Sequence, residues 1–251
     1  MLSTFQKMRY ERNILVATLG EQGQEKLLQS KVLLIGAGGL GSPVALYLTA
    51  AGIGTLGIVD DDVVDSSNLQ RQILHGEDCL GISKVESARQ RLMTLNSQVH
   101  LHTYQERVTK EVLRQLLVAD EYDIVVDGTD NFATKFLIND VCVEEEKPFV
   151  HAGVLAMQGQ LMTYVPHKSP CYRCVFEDEP APGTVPTSKD VGIIGAIAGT
   201  LGTLQAMEVI KYVTGMGELL LGRMLIYDGL SMTFRQMKFH KNEHCQACHK
   251  G

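Results

Sequence analysis

The 251-residue chain lacks an excess of positive charge, a signal-like N-terminus, an unbroken membrane-length apolar run, repeats and low-complexity tracts. Lys and Arg number 23 against 29 Asp and Glu, a net charge of -6, so the basic footprint of a nucleic-acid binder is missing. Met1–Gly20 contains no continuous apolar segment of the kind a secretory signal carries. The longest apolar stretch, Val191–Met207, holds four glycines and is broken by Thr200, Thr203 and Gln205. A membrane span needs ~20 mostly apolar residues, so this stretch reads as a buried Gly-rich helix. Neither nucleic acid nor membrane is therefore an expected partner. Six cysteines without a signal point to a reducing cytoplasm, where paired cysteines bind metal more often than they form disulfides.

Apolar runs alternating with helical patterns are abundant. Strands are expected at 31–36, 55–60, 99–103, 123–127 and 148–152, and helices at 40–51, 83–95, 109–117 and 131–145. The alternation predicts an α/β fold built on a doubly wound, Rossmann-like, mostly parallel sheet. The strands are apolar throughout, as when both sheet faces are covered. After residue 155 the pattern changes. Gln160–Val165, Arg223–Tyr227 and Met232–Phe239 read as strands of a mixed or antiparallel C-terminal extension. Between them lie a loop rich in Pro, Asp and Glu (Glu177–Pro186) and the Gly-rich helix. One domain is expected: a polar arm and helix over 1–30, a nucleotide-binding core over 31–155, and an extension over 156–251.

Gly36-Ala37-Gly38-Gly39-Leu40-Gly41 closes the strand Val32–Ile35 and opens a helix. Gly36, Gly38 and Gly41 permit a tight turn, close backbone approach to phosphate and close helix–strand packing. Asp60 ends the next strand, suitably placed to accept from ribose hydroxyls. That much fits NAD, FAD and ATP alike. The run Ser67-Asn68-Leu69-Gln70-Arg71-Gln72, followed by Lys84, favours ATP. A dinucleotide site has no evident need for these groups, whereas a triphosphate must be neutralised. Arg71 offers a fork to phosphate oxygens and Lys84 a point charge, and both can offset Asp60-Asp61-Asp62. Asn68 and Gln70 can add neutral hydrogen bonds. Asp127-Gly128-Thr129-Asp130-Asn131 ends another apolar strand. Asp130 there is either a Mg²⁺ ligand facing phosphate or the cap of the helix that follows.

Cys171-Tyr172-Arg173-Cys174 and Cys245-Gln246-Ala247-Cys248 are two C-x-x-C pairs. Four thiolates complete a closed tetrahedral Zn²⁺ site, which is structural because no coordination position stays open. A redox dithiol and two disulfides are the competing readings. His244 and His249 flank the second pair and can substitute as ligands.

Together these residues resemble the ThiF/MoeB/HesA family, bacterial relatives of ubiquitin-activating enzymes. The matching segments are Arg9-Tyr10-Glu11-Arg12, Gly36–Gly41 with Gly38 and Gly39, Asp60, Ser67–Gln72 with Leu69, Lys84 in Gly81-Ile82-Ser83-Lys84, and Thr129-Asp130-Asn131. Gly159-Gln160, Leu204-Gln205-Ala206-Met207-Glu208 and the cysteine pairs match as well. The resemblance implies ATP-dependent adenylation of the C-terminal glycine of a small ubiquitin-like sulfur-carrier protein ending in Gly-Gly. It also implies a homodimer in which Arg12 reaches the partner's ATP site.

One position departs from the pattern. Some family members carry a cysteine before the Gly-rich helix, and by register that position is Ser188. The expected product is then the acyl-adenylate, with sulfur coming from a separate persulfide donor. Cys79 and Cys142 read as ordinary thiols. An NAD-dependent oxidoreductase and a non-catalytic binding module on the same fold are the rival functions.

Overall fold

The computed structural model describes residues 1–181 and 183–249, apart from the side chains of Ser188 and Lys189. In chain order, short helices α1 (Thr4–Arg9) and α2 (Glu11–Ile14) precede α3 (Gly20–Gln29). Then come β1 (Lys31–Ile35), α4 (Gly41–Ala51), β2 (Thr55–Val59), α5 (Lys84–Leu95), β3 (His100–Tyr104), α6 (Lys110–Ala119) and β4 (Ile124–Asp127). After them follow α7 (Phe132–Glu144), β5 (Phe149–Leu155), β6 (Gln158–Tyr164), α8 (Ser188–Val191), α9 (Gly195–Thr214), β7 (Arg223–Asp228) and β8 (Thr233–Lys238). The eight strands form one sheet in the order β3-β2-β1-β4-β5-β6-β7-β8. Strands β1 to β5 pair in parallel, and β6 to β8 extend them antiparallel. The α/β expectation and its mixed extension are both met.

Alternate residues along the central strands feed two cores. Leu34, Ile58 and Val126 pack with Val44 and Leu48 of α4 and Leu201 and Val209 of α9. Leu33, Ile35 and Val125 pack on the other face with Leu113 of α6, Phe136 of α7, and Tyr172. This two-sided burial is why the strands carry no polar alternation.

The N-terminal arm, expected as a polar segment, is helical and pinned at one point. Tyr10 is buried, and its hydroxyl accepts from Asn96 Nδ2 at 2.9 Å. Its ring lies against Gly52, the left-handed C-cap of α4 (φ +83°), where a Cβ would approach to 2.5 Å. At the far end of the sheet, every residue of β8 is exposed. No helix among the described residues is long and apolar enough to cross a membrane. The Gly-rich stretch is helical from Gly195 on, as α9, which runs past Met207 to Thr214, whereas Val191 closes α8 and Gly192–Ile194 lie between the two helices.

Candidate functional site

Strand order reverses direction at the β1–β4 junction, so the loops leaving these two strands diverge and leave a crevice. They touch at their roots. A Cβ on Gly36 (φ +93°) would lie 2.9 Å from Gly128 O, and one on Gly41 only 1.9 Å from Gly36 O. Glycine is required at both places, which brings the start of α4 hard against the strand end. Its free N–H groups and partial positive charge face the crevice.

Asp60 organises the Gly-rich loop. Its Oδ2 accepts from Ala37 N–H at 2.8 Å and its Oδ1 from Asp62 N–H at 3.0 Å. Each oxygen keeps a further acceptor position. Lys84, the first residue of α5, is only 4% exposed. Its ammonium donates to Asp62 Oδ2 at 2.7 Å and sits 3.9 Å from Asp60 Oδ1. The expected offset of the acidic strand end is thus supplied by Lys84.

Arg71 takes no part in that offset: it has no ion pair among the described residues. It donates to Ser67 O at 3.2 Å, and its stem covers Gly39, where an added Cβ would meet Arg71 Cγ at 3.5 Å. A cation without a carboxylate partner at the mouth of a Gly-rich loop is free to meet an anion. The run before it is a one-turn helix, Ser66–Asn68, capped by Asp65, which accepts from Ser67 N–H at 2.8 Å. Asn68 Nδ2 donates to Ser67 Oγ at 3.2 Å. Leu69 is half-buried and Gln70 is exposed. A Cβ on Gly195, at the start of α9, would lie 2.5 Å from Gln70 O, so α9 braces this segment from behind.

On the neighbouring loop, Asn131 caps α7, its Oδ1 accepting from Thr134 N–H at 2.9 Å. The capping alternative for Asp130 is therefore overturned. Asp130 is exposed and makes no hydrogen bond or ion pair among the described residues. The same geometry commits the Asn131 carbonyl oxygen to the helix, leaving its amide N–H groups for any ligand. The root of this loop is fixed by buried Asp127, which accepts from Thr129 N–H (3.0 Å), Lys135 Nζ (3.0 Å) and His151 Nδ1 (2.7 Å). Burial would raise the Asp127 pKa, but the Lys135 charge and the His151 hydrogen bond hold it well below the usual carboxylate range.

Arg12 is not brought to this crevice by contacts within its own chain. Its side chain is 87% exposed, and its nearest charge is Glu11 at 3.9 Å.

The four paired cysteines converge. Their sulfurs all lie within 4.8 Å of one another, with Cys171–Cys245 at 3.6 Å, Cys174–Cys248 at 3.4 Å and Cys171–Cys174 at 3.9 Å. A tetrahedral ion with about 2.3 Å thiolate bonds sets sulfurs about 3.8 Å apart, so the spacing fits a metal and not a disulfide. All six cysteines are free, and the cluster is made of cysteines alone, without His244 or His249. Cys79 and Cys142 are buried elsewhere. Ser188 is backbone in the short helix α8, and its side chain lies outside those described.

A cavity of about 520 Å³, lined by Arg114, Glu144, Tyr164, His167, Lys241 and Cys248, opens beside the cysteine cluster. Tyr164 pairs with Phe149, the first residue of β5, which places this cavity at the opposite sheet edge from the Gly-rich loop. Its charges include Arg114 paired with Glu144 and His167 paired with Glu146.

Sequence reasoning passed over Lys135, His151 and His75. Their partners lie in other elements, and nothing in the local spacing marks them.

The ThiF family model matches residues 10–247. The chain is 48% identical to adenylyltransferase and sulfurtransferase MOCS3 of Aedes aegypti, over 96% of this chain and 55% of that protein. It is 44% identical to the SAMP-activating enzyme E1 of Haloferax volcanii, over all of this chain and 92% of that one. The chain thus spans about half the length of the MOCS3 relatives and nearly all of the archaeal one. Among solved structures, E. coli MccB with ATP superposes at a TM-score of 0.83 and 25% identity, covering 96% of this chain and 74% of that one. On the family match, the two relatives and the crevice at β1 and β4, the chain belongs to the ThiF family.

Proposed function

We propose that this protein uses ATP to adenylate the C-terminal glycine of a ubiquitin-like sulfur-carrier protein, releasing pyrophosphate. The observation that carries the reading is the pairing, across touching loops, of an unpaired Arg71 over Gly39 with an unpaired Asp130 beyond Asp127. Both signs of charge a magnesium-bound triphosphate needs are thus offered at one strand edge.

In this reading Asp60 accepts from the ribose, and Gly38 and Gly39 bring backbone N–H groups to the phosphates. Ser67, Asn68, Leu69 and Gln70 line the approach, and Asn131 offers its amide. A carrier carboxylate oxygen attacks the α-phosphorus, the bond to the bridging oxygen breaks, and its electron pair leaves with pyrophosphate. Arg71 and Lys84 stabilise the charge that develops on the phosphate oxygens, and Asp130 would hold Mg²⁺, which neutralises the remainder. No protein nucleophile is needed.

The outward Arg12 and the exposed Phe5, Met8, Leu15 and Val16 of the arm favour a homodimer in which Arg12 serves the partner's site. The open edge strand β8, with Phe234 and Met237 exposed, suits docking of the carrier, so residues 156–251 combine carrier binding with the metal staple. The four cysteines would hold Zn²⁺, which would tie Cys245–Cys248 to the segment after β6. Six free cysteines suit the cytoplasm. The Glu177–Asp190 loop offers no thiol, so the terminal sulfur of a separate persulfide donor attacks the acyl carbon of the adenylate directly, the acyl–oxygen bond breaks, and AMP leaves with its electron pair.

Radioactive pyrophosphate exchange into ATP, with and without a carrier ending in Gly-Gly, tests the reading. Carrier-dependent exchange is expected. Absence of exchange alongside an absorbance change at the nicotinamide band would support the oxidoreductase instead.

A further inference from the structure

Ala37, the second residue of the Gly-rich loop, is gripped at both ends of its backbone. Its N–H donates to Asp60 Oδ2 at 2.8 Å, and its carbonyl lies 2.9 Å from His75 Nε2. A carbonyl has no proton to give, so His75 must carry its proton on Nε2. In the neutral imidazole Nδ1 is then an acceptor, and Ser87 Oγ, 2.9 Å away, donates to it. Both side chains are buried, His75 at 8% and Ser87 at 1% exposure. With both ring nitrogens engaged, His75 has none left for acid–base work.

The three elements that meet at this ring are those carrying the candidate ATP residues. His75 N–H donates to Gln72 O, which places the ring one turn beyond Arg71. Ser87 lies one turn beyond Lys84 on α5. Ala37 directly precedes Gly38 and Gly39, and the Arg71 stem lies on Gly39. Displacing the ring would therefore shift both cations relative to the loop that approaches the phosphates.

We propose that His75 is a positioning residue: its imidazole, protonated on Nε2, registers the Arg71 segment and the Lys84 helix on the Gly-rich loop. The assignment rests on the ATP reading above. Burial pushes the His75 pKa below its usual value and the Lys84 charge acts in the same direction, outweighing the Ala37 hydrogen bond and Asp60. That direction favours the neutral ring, in which the Ala37 carbonyl selects the Nε2 tautomer.

The test compares the full-length wild type with His75→Gln, His75→Phe and Ser87→Ala. Gln keeps an N–H that can reach Ala37 O, whereas Phe keeps the ring and loses both bonds. Pyrophosphate exchange gives kcat and KM for ATP, calorimetry gives ATP affinity, and imidazole ¹⁵N NMR gives the tautomer. Thermal melts separate folding from positioning. The wild type should show a neutral ring with its proton on Nε2. Phe should lower kcat/KM for ATP by ~10²-fold, the scale of an ångström-sized misplacement. Gln should recover most of that loss, and Ser87→Ala should lose about tenfold, with the folded fraction unchanged. Wild-type kinetics in both Phe and Ser87→Ala, a Gln variant no better than Phe, or a wild-type proton on Nδ1 would each overturn the proposal. Should Phe not fold, Gln and Ser87→Ala decide. Failure of the ATP reading is separately visible as a wild type that neither binds ATP nor exchanges pyrophosphate. The tautomer and the Ala37–Gly39 amide shifts in Ser87→Ala then still decide whether the ring sets the loop.

Discussion

Lys135 Nζ lies 3.0 Å from Asp127 Oδ2, and both side chains are almost wholly withdrawn from water. Three acceptors surround that ammonium: Asp127 Oδ2, Thr129 O and Ala152 O. The pair locks the root of the loop that carries Asp130. Lys135→Met should leave Asp127 charged, buried and uncompensated, costing about 3–5 kcal/mol by urea unfolding. Adding Asp127→Asn should restore part of the loss. A single variant as stable as the wild type would show that the pair does not organise the loop.

The pH dependence of stability follows from the same cluster. Burial pushes the His151 pKa down, aided by the Lys135 charge, and Asp127 is held low against its burial. A depressed folded pKa means stability is full above the unfolded pKa and lost as pH falls. Unfolding free energy should be flat above pH ~6.5 and decline below it as unfolded His151 binds protons. A second decline should begin below pH ~4, where Asp127 protonates in the unfolded chain. Urea titrations from pH 8 to pH 3 check both steps, and a profile rising toward acid would contradict them.

Substitution of Asp130, Lys84 or Arg71 by Ala should lower carrier-dependent pyrophosphate exchange by ~10²-fold or more. The Asp130 and Arg71 variants should keep normal melting temperatures, since neither side chain has an ion-pair partner among the described residues. Lys84→Ala should also lose stability, because Asp62 and Asp60 lose their buried counter-charge. Near-normal exchange by Asp130→Ala in Mg²⁺ would remove that residue from the mechanism.

Arg12→Ala and Asp130→Ala proteins, each inactive alone, should recover activity when mixed. Each mixed dimer would own one site with both residues intact. The 87% exposure of Arg12 leaves it free for this role. Persistent inactivity despite demonstrated subunit exchange would confine Arg12 to its own chain.

Metal analysis of purified protein should give about one zinc per chain, and chelation should lower the melting temperature before it touches nucleotide affinity. Metal-free protein with four reduced cysteines and an unchanged melt would sink the assignment.

Intact-mass analysis after incubation with ATP and carrier, without reductant, should reveal no covalent carrier adduct. Cys79 and Cys142 are buried, and burial pushes the Cys142 thiol far above its usual pKa, so neither is a ready nucleophile. An adduct released by dithiothreitol would reverse this view.

Much of the fold was legible because two-sided burial writes itself locally. Val32–Ile35 and Ile124–Val126 are apolar without interruption, and Gly36–Gly41 could only be a turn into a helix. The cysteine pairs were legible because their chemistry is selective even across the long interval from Cys174 to Cys245. The arm misled, since its helices depend on Tyr10 reaching Gly52 and Asn96, contacts formed only in three dimensions. The Asp130 ambiguity had a different origin. Asp and Asn are equally good caps, and only the backbone at Asn131 decided between them. His75 and Lys135 escaped notice because a lone His or Lys has no spacing to betray it. Their roles are set by Ala37, in the loop after β1, and by Asp127, the last residue of β4.

The order of the ligands along the chain has a consequence for synthesis. Cys171 and Cys174 emerge from the ribosome before α9, β7 and β8 exist, and Cys245 and Cys248 only after them. A nascent chain therefore offers two thiolates and an incomplete site while most of the sheet is already able to pair. Metal capture would then be an act of completion: it would occur once β7 and β8 have been made, and a ribosome stalled before Cys245 would leave behind a product whose Cys171 and Cys174 are bare thiols, chemically distinguishable from a chain that carries all four cysteines.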